Sequence, residues 1–192
     1  MRFLKNIWAQ LHRFVLWALI LTILWSWIYT FVGDTTRDKK VVIYVDAYAL
    51  EQRALGLRLE EECHLPGIRM IQVRDFGYDL FGTSLNGDVY IMKESLLKDT
   101  LEQTPEKLAP ISVPAGMIGY ERGGESWGIR IFDPAAQHGS AMTYIQYTPA
   151  PDPEPEAYYL CFDAAGLHLA SLPDAIDNAA WEAAMKLLAI DD

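Results

Sequence analysis

The chain has 192 residues, 51% of them hydrophobic and 22% charged, with a formal net charge of −10; that balance describes a folded protein and excludes a disordered one. Three of its 16 basic residues, Arg2, Lys5 and Arg13, precede Gly33 in a stretch without acids, so the remainder sets 13 basic residues against all 26 acids. A surface that anionic argues against nucleic acid as a partner and against lying flat on anionic lipid head groups.

Phe14 to Val32, FVLWALILTILWSWIYTFV, is nineteen residues without a charge, close to the roughly 20 that carry a helix across a ~30 Å hydrocarbon core. Trp25, Trp27, Tyr29 and Phe31 crowd its exit, where a cleavable signal peptide would place small residues. The segment therefore reads as an uncleaved signal anchor whose partner is the lipid bilayer. Arg2, Lys5 and Arg13 on one side are matched by Arg37, Lys39 and Lys40 on the other. Asp34, Asp38 and the large acidic domain beyond them tip the orientation to N-terminus inside. Phe3, Leu4, Ile7, Trp8 and Leu11 recur at helical spacing and extend the helix along the inner face. The expected organisation is a cytoplasmic segment 1–13, a transmembrane helix 14–32, a linker 33–40 and an extracytoplasmic domain 41–192, single-pass in the cell membrane.

Val41 to Asp46, VVIYVD, is a continuous β-branched and aromatic run of the kind found in strands covered on both faces. Tyr48 to Glu62 places Leu50, Ala54 and Leu57 on one helical face and ends at the breaker Pro66-Gly67. Ile68 to Val73 and Asp88 to Met92 read as a second and a third strand, separated by the glycine-rich DFGYDLFGTSLNG. Strand, helix, strand at this length implies a right-handed βαβ crossover. Ser95 is placed to cap a helix over Leu96 to Gln103, whose Leu97 and Leu101 share a face. Trp127 to Ile131, Met142 to Tyr147 and Tyr158 to Phe162 have strand character, and TPAPDPEPEA between the last two is an exposed proline-rich loop. After Asn178, AAWEAAMKLLAI puts Trp181, Met185 and Leu188 on one stripe, predicting a helix docked by that face. Together these give one three-layer α/β domain with a mixed, mainly parallel sheet.

VVIYVDAYAL, DVYIMKESLLKDTLE, GIRIFD, YYLCFDAAGLHL and AAWEAAMKLL resemble, in that order, pieces of extracytoplasmic solute-binding proteins of the type II periplasmic-binding fold. The resemblance implies a single lobe of such a protein, because the chain is too short for two hinged lobes, and a membrane anchor stands in place of a lipoprotein cysteine. It implies a non-catalytic binding role for the domain.

In open α/β sheets ligands bind beyond the carboxyl ends of the strands. Those ends are Asp46 and Tyr48, Asp75 and Phe76, and Lys93, Glu94 and Ser95, the candidate ligand-binding residues. They combine hydrogen-bonding groups of both charges with two aromatic faces. No catalytic set is expected. DFG at Asp75 lacks the glycine-rich and catalytic loops of a kinase. His138 and Ser140 are neighbours without an acid or an oxyanion loop, and the serine of GESWG, Gly124 to Gly128, is set aside as a nucleophile. His64 and His168 read as structural. Cys63 and Cys161 lack paired metal-ligand spacing and read as small buried hydrophobes, leaving neither a metal nor a cofactor expected. The expected function is contact with another envelope protein by a membrane-tethered binding module. The alternatives are capture of a small polar solute in a cleft completed by homodimerisation, and an envelope hydrolase.

Overall fold

A computed structural model describes residues 2–33, 35–76, 86–148 and 155–190, with side chains in the first stretch described from Gln10 to Trp27. Most of the glycine-rich stretch, including Gly77 of DFG, and the centre of the proline-rich connector lie outside the described residues. The chain divides into two compact units, Met1–Thr36 and Arg37–Asp192.

The first unit is helix α1, Arg2–Gly33, 32 residues long. Its side chains from Gln10 to Trp27 are exposed, and Thr22 returns its hydroxyl to the Ala18 carbonyl at 2.7 Å. The expected transmembrane span Phe14 to Val32 lies only in part among the described side chains, which end at Trp27. Among the described residues no helix is long and apolar enough to cross a membrane.

In the second unit, β1 (Lys40–Val45), β2 (Ala49–Leu50) and α2 (Gln52–Cys63) are followed by β3 (Met70–Asp75), β4 (Val89–Lys93) and α3 (Glu94–Gln103). Then come β5 (Leu108–Ala109), β6 (Gly119–Arg122), β7 (Glu125–Asp133), β8 (His138–Gly139), β9 (Ile145–Gln146), β10 (Tyr158–Asp163) and α4 (Ala179–Leu188). The main sheet runs β3-β1-β4-β10-β7-β6, with β5 beside β10 and β8 beside β7, while β2 and β9 pair separately. β1 is parallel to both β3 and β4, and the remaining pairings of the main sheet are antiparallel. The sheet is thus mixed.

The alternation of strand side chains sorts the core into two layers. Val41, Ile43, Val45, Ile91 and Leu160 belong to a cluster with Leu55 and Leu59 of α2 and Ala180, Ala183, Ala184 and Leu187 of α4. Val42, Tyr44, Tyr90, Met92, Tyr159 and Cys161 belong to another with Leu97 and Leu101 of α3. Each fully buried aliphatic side chain contributes about 1.5–3 kcal/mol. Ile43, enclosed between β3 and β4, is a position where truncation to alanine costs about 2–5 kcal/mol.

Three helix expectations shift. Tyr48 to Leu50 is not helical: Tyr48 N–H donates to the Gln146 carbonyl, and Ala49 and Leu50 pair with β9. α2 buries Leu55, Gly56 and Leu59, leaving Leu57 exposed, because Gly56 lets the helix approach the Ile71 carbonyl where a Cβ would sit 2.9 Å away. α4 docks through its alanines, whose small side chains allow close approach, and Trp181, Met185 and Leu188 flank that face partly buried. The expected strand Met142 to Tyr147 is reduced to β9, preceded by a turn.

Candidate functional site

Parallel pairing sets the carboxyl ends of β3, β1 and β4 side by side, with Val45 opposite both Asp75 and Ile91. Asp46 N–H donates to the Ile91 carbonyl at 2.8 Å, extending the ladder past the last residue of β1. Asp46 is half-buried, and burial raises its carboxyl above the ordinary range; Lys93 opposes the rise, while Asp75 and Glu156 add to it. Asp46, Asp75 and Lys93 therefore share one electrostatic neighbourhood, as their positions in the sequence imply, and Glu156 joins them.

The other candidates divide. Glu94 and Ser95 lie in the first turn of α3, which begins two residues before the expected helix. Ser95 is not the cap. Its N–H donates to Glu156 Oε2 at 3.0 Å, and the Glu94 N–H donates to the Ala157 carbonyl at 2.9 Å, so a carboxylate 61 residues away satisfies the helix terminus. Phe76 is partly buried. It packs edge-on against Tyr44 and Tyr90 at centroid distances of 6.3 and 6.0 Å, within the layer under α3. Tyr48 is 66% exposed.

Beyond Tyr48 the chain forms one wall of a groove of about 540 Å³. Ala49, Leu50 and Glu51, hydrogen-bonded to the segment around β9, line it together with Met142 to Thr148, and Phe132 and Tyr147 are stacked at 4.8 Å in its lining. Tyr147 donates its hydroxyl to the Ser140 carbonyl at 2.7 Å and its own carbonyl accepts the Tyr158 hydroxyl, which fixes that lining. Pro155, next to Glu156, closes one side. The groove and the strand-end edge are continuous along the chain at both 46–51 and 155–157. Sequence reading missed the groove because a two-residue strand pair leaves no periodicity to detect.

At the opposite end of the sheet lies a buried polar network. Asp88 accepts the Val42 N–H at 2.9 Å and the Leu167 N–H at 3.2 Å; burial raises its carboxyl, opposed by the Val42 N–H, His168 and Arg37. Tyr90 donates to Asp163 Oδ2 at 2.5 Å, and burial followed by that bond pushes the phenol up. His168 is fully buried: Nε2 lies 3.1 Å from the Arg37 carbonyl and Nδ1 2.9 Å from Asp177 Oδ1. Burial alone would depress its pKa, but the Arg37 carbonyl, Asp177 and Asp88 more than reverse that, and the net shift is upward. A carbonyl and a carboxylate both accept, so the surroundings of His168 favour the imidazolium, which can donate from both nitrogens. The reading of His168 as structural agrees with this enclosure.

GESWG has the letters of a nucleophile elbow, but such an elbow needs a strand-to-helix turn. Here Ser126 lies inside β7, opposite Glu121 and bridged to Ile111. Gly124 takes φ +86 in the turn before it, and Gly128 passes so close to β10 that a Cβ would meet Cys161 Sγ at 2.8 Å. Sheet geometry accounts for both glycines. Ser140 donates its hydroxyl to the Leu188 carbonyl at 2.8 Å, away from His138, and His64 is the left-handed C-cap of α2. Cys63 and Cys161 are free thiols. Among the described residues no three His, Cys, Asp or Glu side chains are grouped to hold a metal.

No family model, curated protein or solved structure matches the chain.

Proposed function

We propose that the chain is a membrane-tethered, non-catalytic binding module of solute-binding-lobe type, acting outside the cytoplasm by contact with another envelope protein. The observation that carries the reading is the proximity along the chain of the strand-end charges Asp46, Asp75 and Lys93 to an open groove beside the paired strands β2 and β9. A broad, one-sided surface of this kind meets a protein partner more readily than it encloses a small molecule. The tether rests on the charge-free sequence Phe14 to Val32 and on the exposed apolar side chains of α1, among them Phe14, Trp17, Leu21 and Trp25. Confinement to the membrane plane would raise the effective concentration of the groove for a membrane partner.

Two measurements on the full chain test this. Alkaline carbonate extraction should leave the protein in the membrane pellet, and a photo-crosslinking residue at Tyr48 should give a discrete protein adduct that the same probe at Leu57 does not. Release into the carbonate supernatant, or equal labelling from both positions, would refute the proposal. The second reading, a small polar solute held by a dimer, is favoured only by the groove volume, which falls in the range of about 300–1,000 Å³ typical of ligand sites. A dimer by light scattering whose assembly depends on residues 142–148 would support it.

A further inference from the structure

A second depression, of about 790 Å³, lies at the other end of the sheet from the strand-end charges and shares no residue with the groove beside β2 and β9. Its walls are the segment Pro110 to Val113, the start of β7 and the loop Leu169 to Ser171, and the Trp181 indole on α4 borders it. Trp181 is stacked on Phe162 at 5.4 Å and 24°, which holds the indole as a fixed platform. Ser112, Ser126 and Ser171 line the same depression. Among the described residues, none of these hydroxyls, nor the Trp181 Nε1–H, has a partner within the protein. Comparable groups elsewhere do: Ser140 bonds Leu188 and Trp127 Nε1–H bonds Arg122. Asn178 has its Oδ1 engaged by the Ala170 N–H at 3.2 Å, which orients the amide and leaves its NH₂ donors. The one charged lining residue is Glu125, and no cation lines the depression.

We propose that this depression is a binding site for a neutral polyhydroxylated ring, a saccharide unit. Four features together select that chemistry. A rigid indole offers a flat apolar surface to the C–H face of a sugar ring. Donors and acceptors set around it match the alternating hydroxyls of the ring edge, and each made bond replaces one to water. The carboxylate of Glu125 accepts hydroxyl protons and repels anions, and with no cation present an acidic sugar or a phosphate has nothing to neutralise it. The open, shallow shape suits a ligand that stacks and leaves one edge in water. This site does not depend on the protein-contact reading, since it lies on other elements of the fold.

The test is saturation-transfer NMR on the full chain in lipid nanodiscs, which avoids glycosidic detergents, with glucose, N-acetylglucosamine and maltotriose as probes. At least one neutral sugar should receive saturation. Its affinity should fall about tenfold in Trp181→Ala and survive largely in Trp181→Phe, which keeps a ring. Should Trp181→Ala fail to fold by circular dichroism, the wall variant Ser126→Ala/Ser171→Ala carries the test, with a loss of several-fold. Transfer from no neutral sugar, binding unchanged in the folded Trp181 and serine variants, or tighter binding of glucuronate or of adenine than of any neutral sugar would each overturn the proposal.

Discussion

Removing the His168 side chain should cost more than a surface histidine would, and the cost should depend on pH in a direction the geometry dictates. The imidazolium joins three parts of the chain: the Arg37 carbonyl at the entry to β1, Asp88 at the entry to β4 and Asp177 at the entry to α4, whose Oδ1 also accepts the Ala179 N–H at 2.9 Å. His168→Ala leaves the two carboxylates without their cation, and because the Asp177 side chain is 34% exposed the cost is that of a charged hydrogen bond, about 1.5–3 kcal/mol, below that of a fully buried pair. The folded protein holds the His168 proton more tightly than the unfolded chain, whose imidazole titrates near 6.5. This share of stability is therefore whole below that value and drains as pH rises through the folded pKa. One proton limits the slope to about 1.4 kcal/mol per pH unit. The useful window is pH 6 to about 8.5, because the half-buried Cys63 thiol and the buried Cys161 thiol, both raised from 9.0, add a separate loss above it. Urea unfolding of the full chain, followed by tryptophan fluorescence at half-unit steps, should give a wild-type stability falling across that window and a flatter profile in His168→Ala. Asp177→Asn, which keeps an acceptor for Ala179 but removes the charge, should leave the start of the fall in place and end it at a lower pH, with a smaller total loss. Wild-type stability that is flat or rising, or a slope unchanged in His168→Ala, refutes the imidazolium assignment.

Gly128→Ala should destabilise by about 1–3 kcal/mol in thermal unfolding, since its Cβ meets Cys161 Sγ at 2.8 Å and the Leu160 carbonyl at 3.2 Å in a sheet centre that cannot give; a neutral result would mean β7 and β10 separate easily. Tyr90→Phe keeps the stack on Tyr44 but deprives Asp163 of its donor and the Gly87 N–H of its acceptor. A loss of about 1.5–3 kcal/mol follows, read as a Tm lower by roughly 3–12 °C. Glu156→Ala should weaken the start of α3 by about 0.5–2 kcal/mol, visible as faster amide exchange at Glu94 and Ser95 and absent in Glu156→Gln, which keeps an acceptor. Cys161, fully buried with its thiol pushed up by desolvation, should resist a thiol reagent at pH 8 until urea unfolds the chain.

The sequence made the buried half of the fold readable and the rest only in fragments. Val41–Val45, Val89–Met92 and Tyr158–Phe162 are continuous apolar runs because both sheet faces are covered, and that signal survives without knowledge of partners. Helix faces were harder. In α2 the apolar stripe through Leu57 is a decoy, since the docking surface is set by Gly56 and its approach to the Ile71 carbonyl, and hydrophobicity does not register a glycine as a contact. In α4 the large apolar residues are flankers and the alanines do the docking, for the same reason of distance. β2, β5, β8 and β9 have two residues each, too few for any period.

The site followed the same division. Which residues end parallel strands is a local property, so Asp46, Asp75 and Lys93 are legible in the sequence itself, and their mutual influence on the Asp46 carboxyl is what that placement entails. What each side chain does there is a tertiary property. Phe76 follows Asp75 directly, yet the pleat turns it into the aromatic layer with Tyr44 and Tyr90, where it supports β3. Ser95 had the chemistry of a cap, but a carboxylate is a stronger acceptor at a helix N-terminus than a hydroxyl, and Glu156 reaches that terminus because β10 starts beside the end of β4, Tyr158 opposite Lys93. With Glu156 tied to α3, the strand-end edge is flanked by a fixed carboxylate instead of a free hydroxyl, and Lys93 is its near cation. A partner approaching this edge therefore meets an ordered pattern of charge, which favours recognition by complementary polar groups over burial of apolar surface.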